Sequence, residues 1–107
     1  MTIDHLNKAM LAVSKDVGGD LDVATFLTFL FIAGRGKCTQ KEVEEGLKLT
    51  HSAASRNVSY WTERRYDRKE GMRFVERVEG DYDRRYRELT LTERGRKFYT
   101  KLREIMA

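Results

Sequence analysis

Proline is absent from this 107-residue chain, cysteine and tryptophan each occur once, and histidine occurs twice. With no low-complexity tract and no repeat, nothing marks an internal linker, and one small domain over 1–107 is expected. The single cysteine, Cys38, excludes an internal disulfide and fits a reducing cytoplasm. His5 and His51, with no second cysteine, give no zinc-ligand spacing, so no metal site is expected. No run of about twenty apolar residues exists, which excludes a membrane-spanning helix. Asp4 and His5, ahead of any apolar run, do not have the pattern of a secretory leader. No nucleophile–base pair and no phosphate loop occurs, so neither an enzyme nor a cofactor is expected.

What the chain has in plenty is charge, 36% of residues against 40% hydrophobic. The net charge of +4 hides an asymmetry. Residues 1–47 carry five Lys/Arg and seven Asp/Glu, a net of −2, whereas residues 48–103 carry sixteen and nine, a net of +7. A split of this kind points to a polyanionic partner for the C-terminal half. A solvated, arginine-rich surface is the plainer alternative.

Hydrophobic spacing predicts five helices and a hairpin, a mainly α architecture with a small β-hairpin (α+β). Over 3–17, Ile3, Leu6, Met10, Val13 and Val17 form one narrow stripe. Residues 22–33 are apolar nearly all round, which predicts a central helix buried on every side. Thr39 and Glu42 have the capping-box spacing for a helix over 40–47, with Val43 and Leu47 inward. Lys48-Leu49 forms a turn, and Thr50 can cap a second helix from His51. Short helix, tight turn and longer helix give a helix-turn-helix over about 39–65. A short strand is expected just before Thr39. Residues 73–79 and 86–91 read as a two-stranded hairpin, with Leu89 and Leu91 on one face. Thr92 opens a last helix with Phe98, Leu102 and Ile105 on a stripe.

Helical residues advance about 100° each. Ala54, Val58 and Trp61 therefore make an inward seam, and Ser52, Ser55, Arg56, Ser59 and Tyr60 lie opposite. Serine permits close approach, and arginine can pair in bidentate fashion with guanine in a major groove. His51 and Ser52 stand at the helix N-terminus, where free N–H groups suit a phosphate. Asn57 sits at the edge of the seam and can face either way. An ordinary amphipathic helix would show the same periodicity, but serine is a poor helix former for a merely solvated face. Tyr60, Trp61, Tyr66, Tyr82 and Tyr86 interleave with arginines, a pattern that also suits stacked single-stranded bases.

These residues resemble the MarR family of winged helix-turn-helix transcription regulators, from about Thr39 to Gly95. The segment Leu49-Thr50-His51-Ser52-Ala53-Ala54-Ser55-Arg56-Asn57-Val58 is similar to the opening of that family's recognition helix. Val75-Glu76-Arg77, Asp83-Arg84-Arg85 and Leu89-Thr90-Leu91-Thr92-Glu93-Arg94-Gly95 resemble its wing signature (about 73–91). The resemblance implies that Arg85 enters a minor groove and that Asp83 orients it. It leaves Arg84 and Arg87 for phosphates. It also implies a dimer built from the terminal helices, 3–17 and 93–106, through Ile3, Leu6, Met10, Val13, Phe98, Leu102 and Ile105. The chain is shorter than most of the family, so truncated dimerisation arms are expected. The segment from Thr62 to Met72 is longer than the family's link. It adds Arg64, Arg65, Arg68 and Lys69, which with Lys48 and Thr50 are candidate backbone contacts. Either the recognition helix runs on through it, or a basic loop projects beside the DNA.

The expected function is sequence-specific binding of double-stranded DNA by a homodimeric, cytoplasmic transcription regulator, a repressor acting by promoter occupancy. A prokaryotic cell, its phage or another mobile element is the expected setting, and the sequence gives no effector. The alternatives are a winged-helix adaptor for a protein partner with only non-specific DNA affinity, and a single-strand binder. Cys38 reads as a buried structural thiol rather than a redox sensor.

Overall fold

Each helix starts where a side-chain oxygen takes one of its free N–H groups. The structure, a computed structural model, describes residues 2–80 and 87–107. Among these, Thr2 caps α1 (Ile3–Asp16), Asp22 caps α2 (Val23–Arg35) and Thr39 caps α3 (Gln40–Leu47). Thr50 caps α4 (His51–Trp61), and Thr92 caps α5 (Glu93–Met106). At Thr39 the reciprocal capping box forms, with Glu42 reaching back to the Thr39 N–H at 2.9 Å. Among the described residues three strands complete the fold: β1 (Lys37–Thr39), β2 (Val75–Glu79) and β3 (Arg87–Leu91).

The sheet is antiparallel, in the order β1-β3-β2, so β3 is central, and the short strand expected before Thr39 joins the hairpin as its third strand. Cys38 lies opposite Leu89, and Val75 opposite Leu91. The period-2 alternation on β3 buries Leu89 and Leu91 on one face. The run Lys37–Thr39 is too short to show such a period by itself.

α2 is the central helix, packed against α3, α4, β1 and β3. Its Phe29 ring is completely buried, 4.9 Å from Trp61 and 5.8 Å from both Phe74 and Phe98 between centroids. The expectation that α2 is buried on every side fails on one face. Val23 is 73% exposed and Leu27 44% exposed, because its neighbours cover only part of the helix.

α1 packs along α5, and Lys101 Nζ reaches Asp16 Oδ2 at 2.6 Å. The two terminal stripes are not equivalent. Phe98 and Leu102 are buried in the domain's own core and Ile105 is half-buried. On α1, Val13 is buried, whereas Ile3, Leu6 and Met10 are exposed. An interface between copies through these stripes therefore has to rest mainly on Ile3, Leu6 and Met10. No described helix is long and apolar enough to cross a membrane.

Candidate nucleic-acid interface

The turn between α3 and α4 is closed by Lys48 in the left-handed region (φ 55°), which lets the Leu49 N–H reach the Glu44 carbonyl at 2.9 Å. Thr50 then takes the Ala53 N–H, and α4 starts. Glu44 Oε2 lies 3.0 Å from the His51 Nδ1, tying the first turn of α4 to α3. His51, Ser52, Lys48 and Thr50 are all exposed at this corner.

Ala54, Val58 and Trp61 form the predicted inner seam and are fully buried. The Trp61 indole N–H donates to the Thr25 carbonyl at 2.8 Å, which locks α4 to α2. Asn57, open in the sequence reading, faces α2 and accepts from the Thr25 hydroxyl at 3.3 Å. Opposite the seam, Ser52 and Arg56 are exposed and Ser55 is half-buried.

Ser59 and Tyr60 are used differently. The Ser59 hydroxyl donates to the Arg56 carbonyl at 2.8 Å and accepts from the Tyr66 N–H at 2.9 Å. It is occupied by the protein itself. Tyr60 packs edge-on against Trp61, with the Arg65 guanidinium 4.9 Å from its ring centre. Burial pushes its phenol pKa up; Arg65 opposes this, and Asp20 and Asp22 add to it. Both residues belong to the scaffold of α4 more than to its outer face. With Trp61 buried and Tyr60 packed on it, the run of stacking aromatics expected of a single-strand binder does not form there.

The segment after α4 resolves the two sequence alternatives. The helix does not run on; Thr62 ends it, and the chain folds back as a small hairpin. Arg64 and Glu70 form an antiparallel backbone bridge, the Arg65 N–H donates to the Lys69 carbonyl at 2.8 Å, and the Gly71 N–H donates to the Glu63 carbonyl at 3.1 Å. Met72, Arg73 and Phe74 then donate back to Tyr60, Thr62 and Trp61. Arg64, Arg68 and Lys69 are exposed and Arg65 is half-buried, paired with Asp67 at 3.1 Å. The basic loop therefore stands beside the end of α4, held by its own backbone.

Of the wing residues, Asp83, Arg84 and Arg85 lie outside the described residues, as do Tyr82 and Tyr86. Arg87 is exposed at the start of β3. It shares a cleft of about 350 Å³ with Arg73 and Arg77, between the hairpin and the sheet, with Glu63 and Glu76 at its walls. Burial lowers the pKa of the Arg77 guanidinium, and the like charge of Arg87 lowers it further. Arg77 belongs to the Val75-Glu76-Arg77 segment that resembles the wing signature, whereas Arg73 lies outside the expected site residues. The signal was the strand period: Arg77 falls on the face of Val75, two residues on and opposite Leu89.

Cys38 is buried between the sheet and α3, and burial first, then the charge of Glu42, push its thiol up to about 11. Among the described residues no cluster of His, Cys, Asp and Glu could hold a metal ion.

Comparison with known proteins gives the same architecture. Residues 19–66 match a family model described as MarR family. No curated protein matches the sequence. The solved structure of RV1404 from Mycobacterium tuberculosis superposes with a TM-score of 0.71 at 19% identity, over 96% of this chain and 64% of that one. A MepR variant from S. aureus bound to an oligodeoxyribonucleotide gives 0.72 at 16% identity, over 97% and 69%. A MarR variant from E. coli complexed with operator DNA gives 0.66 at 17% identity, over 98% and 70%. The chain thus spans about two thirds of the length of the structures it resembles, 64% of RV1404. Residues 19–66 are thus similar to the MarR family, and the described chain has the winged helix-turn-helix fold of these structures.

Proposed function

We propose that this protein is a sequence-specific, double-stranded-DNA-binding transcription regulator, a repressor that acts as a homodimer by occupying a promoter. The observation that carries the reading is the outer face of α4. Ser52, Ser55 and Arg56 project opposite a fully buried seam, on a helix pinned at both ends. A rigid helix with small polar residues and one arginine outward suits a major groove. The likeness to a MarR variant solved with operator DNA supports this placement of α4.

The remaining residues then divide by chemistry. His51, Lys48 and Thr50 stand at the α4 N-terminus, where free N–H groups favour a phosphate. Arg64, Arg68 and Lys69 on the hairpin, and Arg87 on the wing with Arg73 and Arg77, meet the flanking backbone and supply salt-sensitive attraction. Arg85 reaches the minor groove and Asp83 orients it, as the resemblance implies. Two copies present two recognition helices to two half-sites. The regulator works within a prokaryotic cytoplasm.

Selection from genomic fragments tests the reading. Recovery of one palindromic duplex sequence is the expected outcome. Recovery of fragments without a common sequence would overturn it in favour of a protein-binding adaptor.

A further inference from the structure

The hairpin after α4 touches the outer face of that helix through Tyr66. Tyr66 is 72% exposed, yet it is held at two points. Its backbone N–H donates to Ser59 Oγ at 2.9 Å, and that same hydroxyl donates to the Arg56 carbonyl at 2.8 Å. Its ring lies under the Arg56 guanidinium, 5.3 Å from centroid to Cζ. The hairpin behind it is rigidly seated. A β-carbon on Gly71 would lie 1.9 Å from the Thr62 carbonyl oxygen, so the returning strand is pressed against the end of α4.

We propose that Tyr66 is a specificity-determining residue that acts by positioning Arg56 for base reading, a proposal that rests on α4 being the helix that reads DNA. An exposed arginine samples many rotamers, and ordering it opposes binding. Stacking on an aromatic ring uses the flat face of the guanidinium and leaves its in-plane N–H donors free. Arg56 can therefore rest on Tyr66 and still offer the fork that a guanine edge requires. Ser59 makes the arrangement local and rigid, because one hydroxyl joins the backbone of the arginine to the backbone of the tyrosine. The hairpin then has a second use besides carrying positive charge: it supplies the platform for the reading residue.

The experiment is selection from a random-sequence duplex library with the full chain, as wild type, Arg56→Ala, Tyr66→Ala, Tyr66→Leu and Tyr66→Phe. Arg56→Ala is expected to erase the preference at one base pair of the recovered sequence. Tyr66→Ala and Tyr66→Leu are expected to weaken the preference at that same pair by roughly two- to fivefold, the range of an exposed cation–π contact. Other positions, and affinity for unrelated duplex, are expected to stay unchanged. Tyr66→Phe keeps the ring and is expected to retain the wild-type preference. An unchanged or sharper preference in Tyr66→Ala overturns the proposal, as does an equal loss at every position, which a merely structural role would produce. If wild type recovers no common sequence, the regulator reading itself fails, and the two failures are distinguishable.

Discussion

Gly95 in the first turn of α5 lies directly on the backbone of Phe74: a β-carbon at Gly95 would sit 2.0 Å from the Phe74 carbonyl oxygen. That oxygen is fixed, since it accepts the Thr92 N–H at 3.0 Å, and Phe74 in turn donates to Trp61 at 2.8 Å. Three elements, α4, the entry to β2 and α5, meet at this point with no room for a side chain. Gly95→Ala is therefore expected to destabilise the fold by about 1–3 kcal/mol, the cost of forced overpacking. Thermal unfolding reads this as a drop of about 4–8 °C per kcal/mol for a domain of this size. An unchanged melting temperature would mean that α5 sits farther from Phe74.

The residues explain which features were legible in the sequence. Caps are local chemistry, so Thr39, Thr50 and Thr92 announced three helix starts, and the structure has them there. The seam of Ala54, Val58 and Trp61 was legible from the helical period. The short strand before Thr39 was expected, but its place in the sheet was not legible, because three residues carry no period and their pairing with β3 spans about fifty residues of chain. The same limit hid the fate of Ser59 and Tyr60. Helical angle placed both on the outer face, and only the returning hairpin, a non-local contact, turned one into a tether and the other into scaffold. Arg56 stayed where the period put it, but the ring beneath it was invisible from spacing.

Cys38 gives a pH signature. Its folded pKa, about 11, stands above the ordinary value of 9.0 because burial disfavours the thiolate. Below pH 9 the thiol is protonated in both states and the full stability is present. Between about 9 and 11 the unfolded chain releases this proton and the folded one does not, so stability falls as pH rises, by on the order of 2–3 kcal/mol. Denaturant unfolding of wild type and Cys38→Ala across that window checks it: the variant should show a shallower fall. The same burial predicts that a thiol reagent at neutral pH reacts only on unfolding. Rapid labelling of the folded protein would contradict the placement.

Arg77 and Arg87 yield a prediction about salt. They sit in one cleft, where burial first and then the like charge of Arg87 lower the pKa of the Arg77 guanidinium. A phosphate between them relieves that repulsion. Arg77→Ala and Arg87→Ala are each expected to weaken DNA binding about equally for all sequences, and to reduce the slope of log affinity against log salt by about 1. Titration by fluorescence anisotropy at several salt concentrations provides the slopes. A loss confined to one sequence, or slopes equal to wild type, would place the cleft away from the DNA backbone.

The proposed homodimer makes its sharpest demand on α1. Ile3 is 79% exposed, Leu6 47% and Met10 43%, while Phe98 and Leu102 on α5 are already buried in their own core. A partner that covers the α1 stripe would remove these side chains from water, and a carboxylate placed among them would lose its hydration without gaining a partner. Leu6→Glu and Met10→Glu are expected to weaken association by at least about 2 kcal/mol, on the order of 30-fold, with the monomer fold intact. Sedimentation should then show a dimer for wild type at micromolar concentration and a monomer for the variants. On DNA, each variant should lose affinity for a two-half-site duplex and keep its affinity for a single half-site, because α4 and the hairpin are untouched. Equal loss on both duplexes would mean that α1 supports the fold of the reading head and not the pairing of two copies.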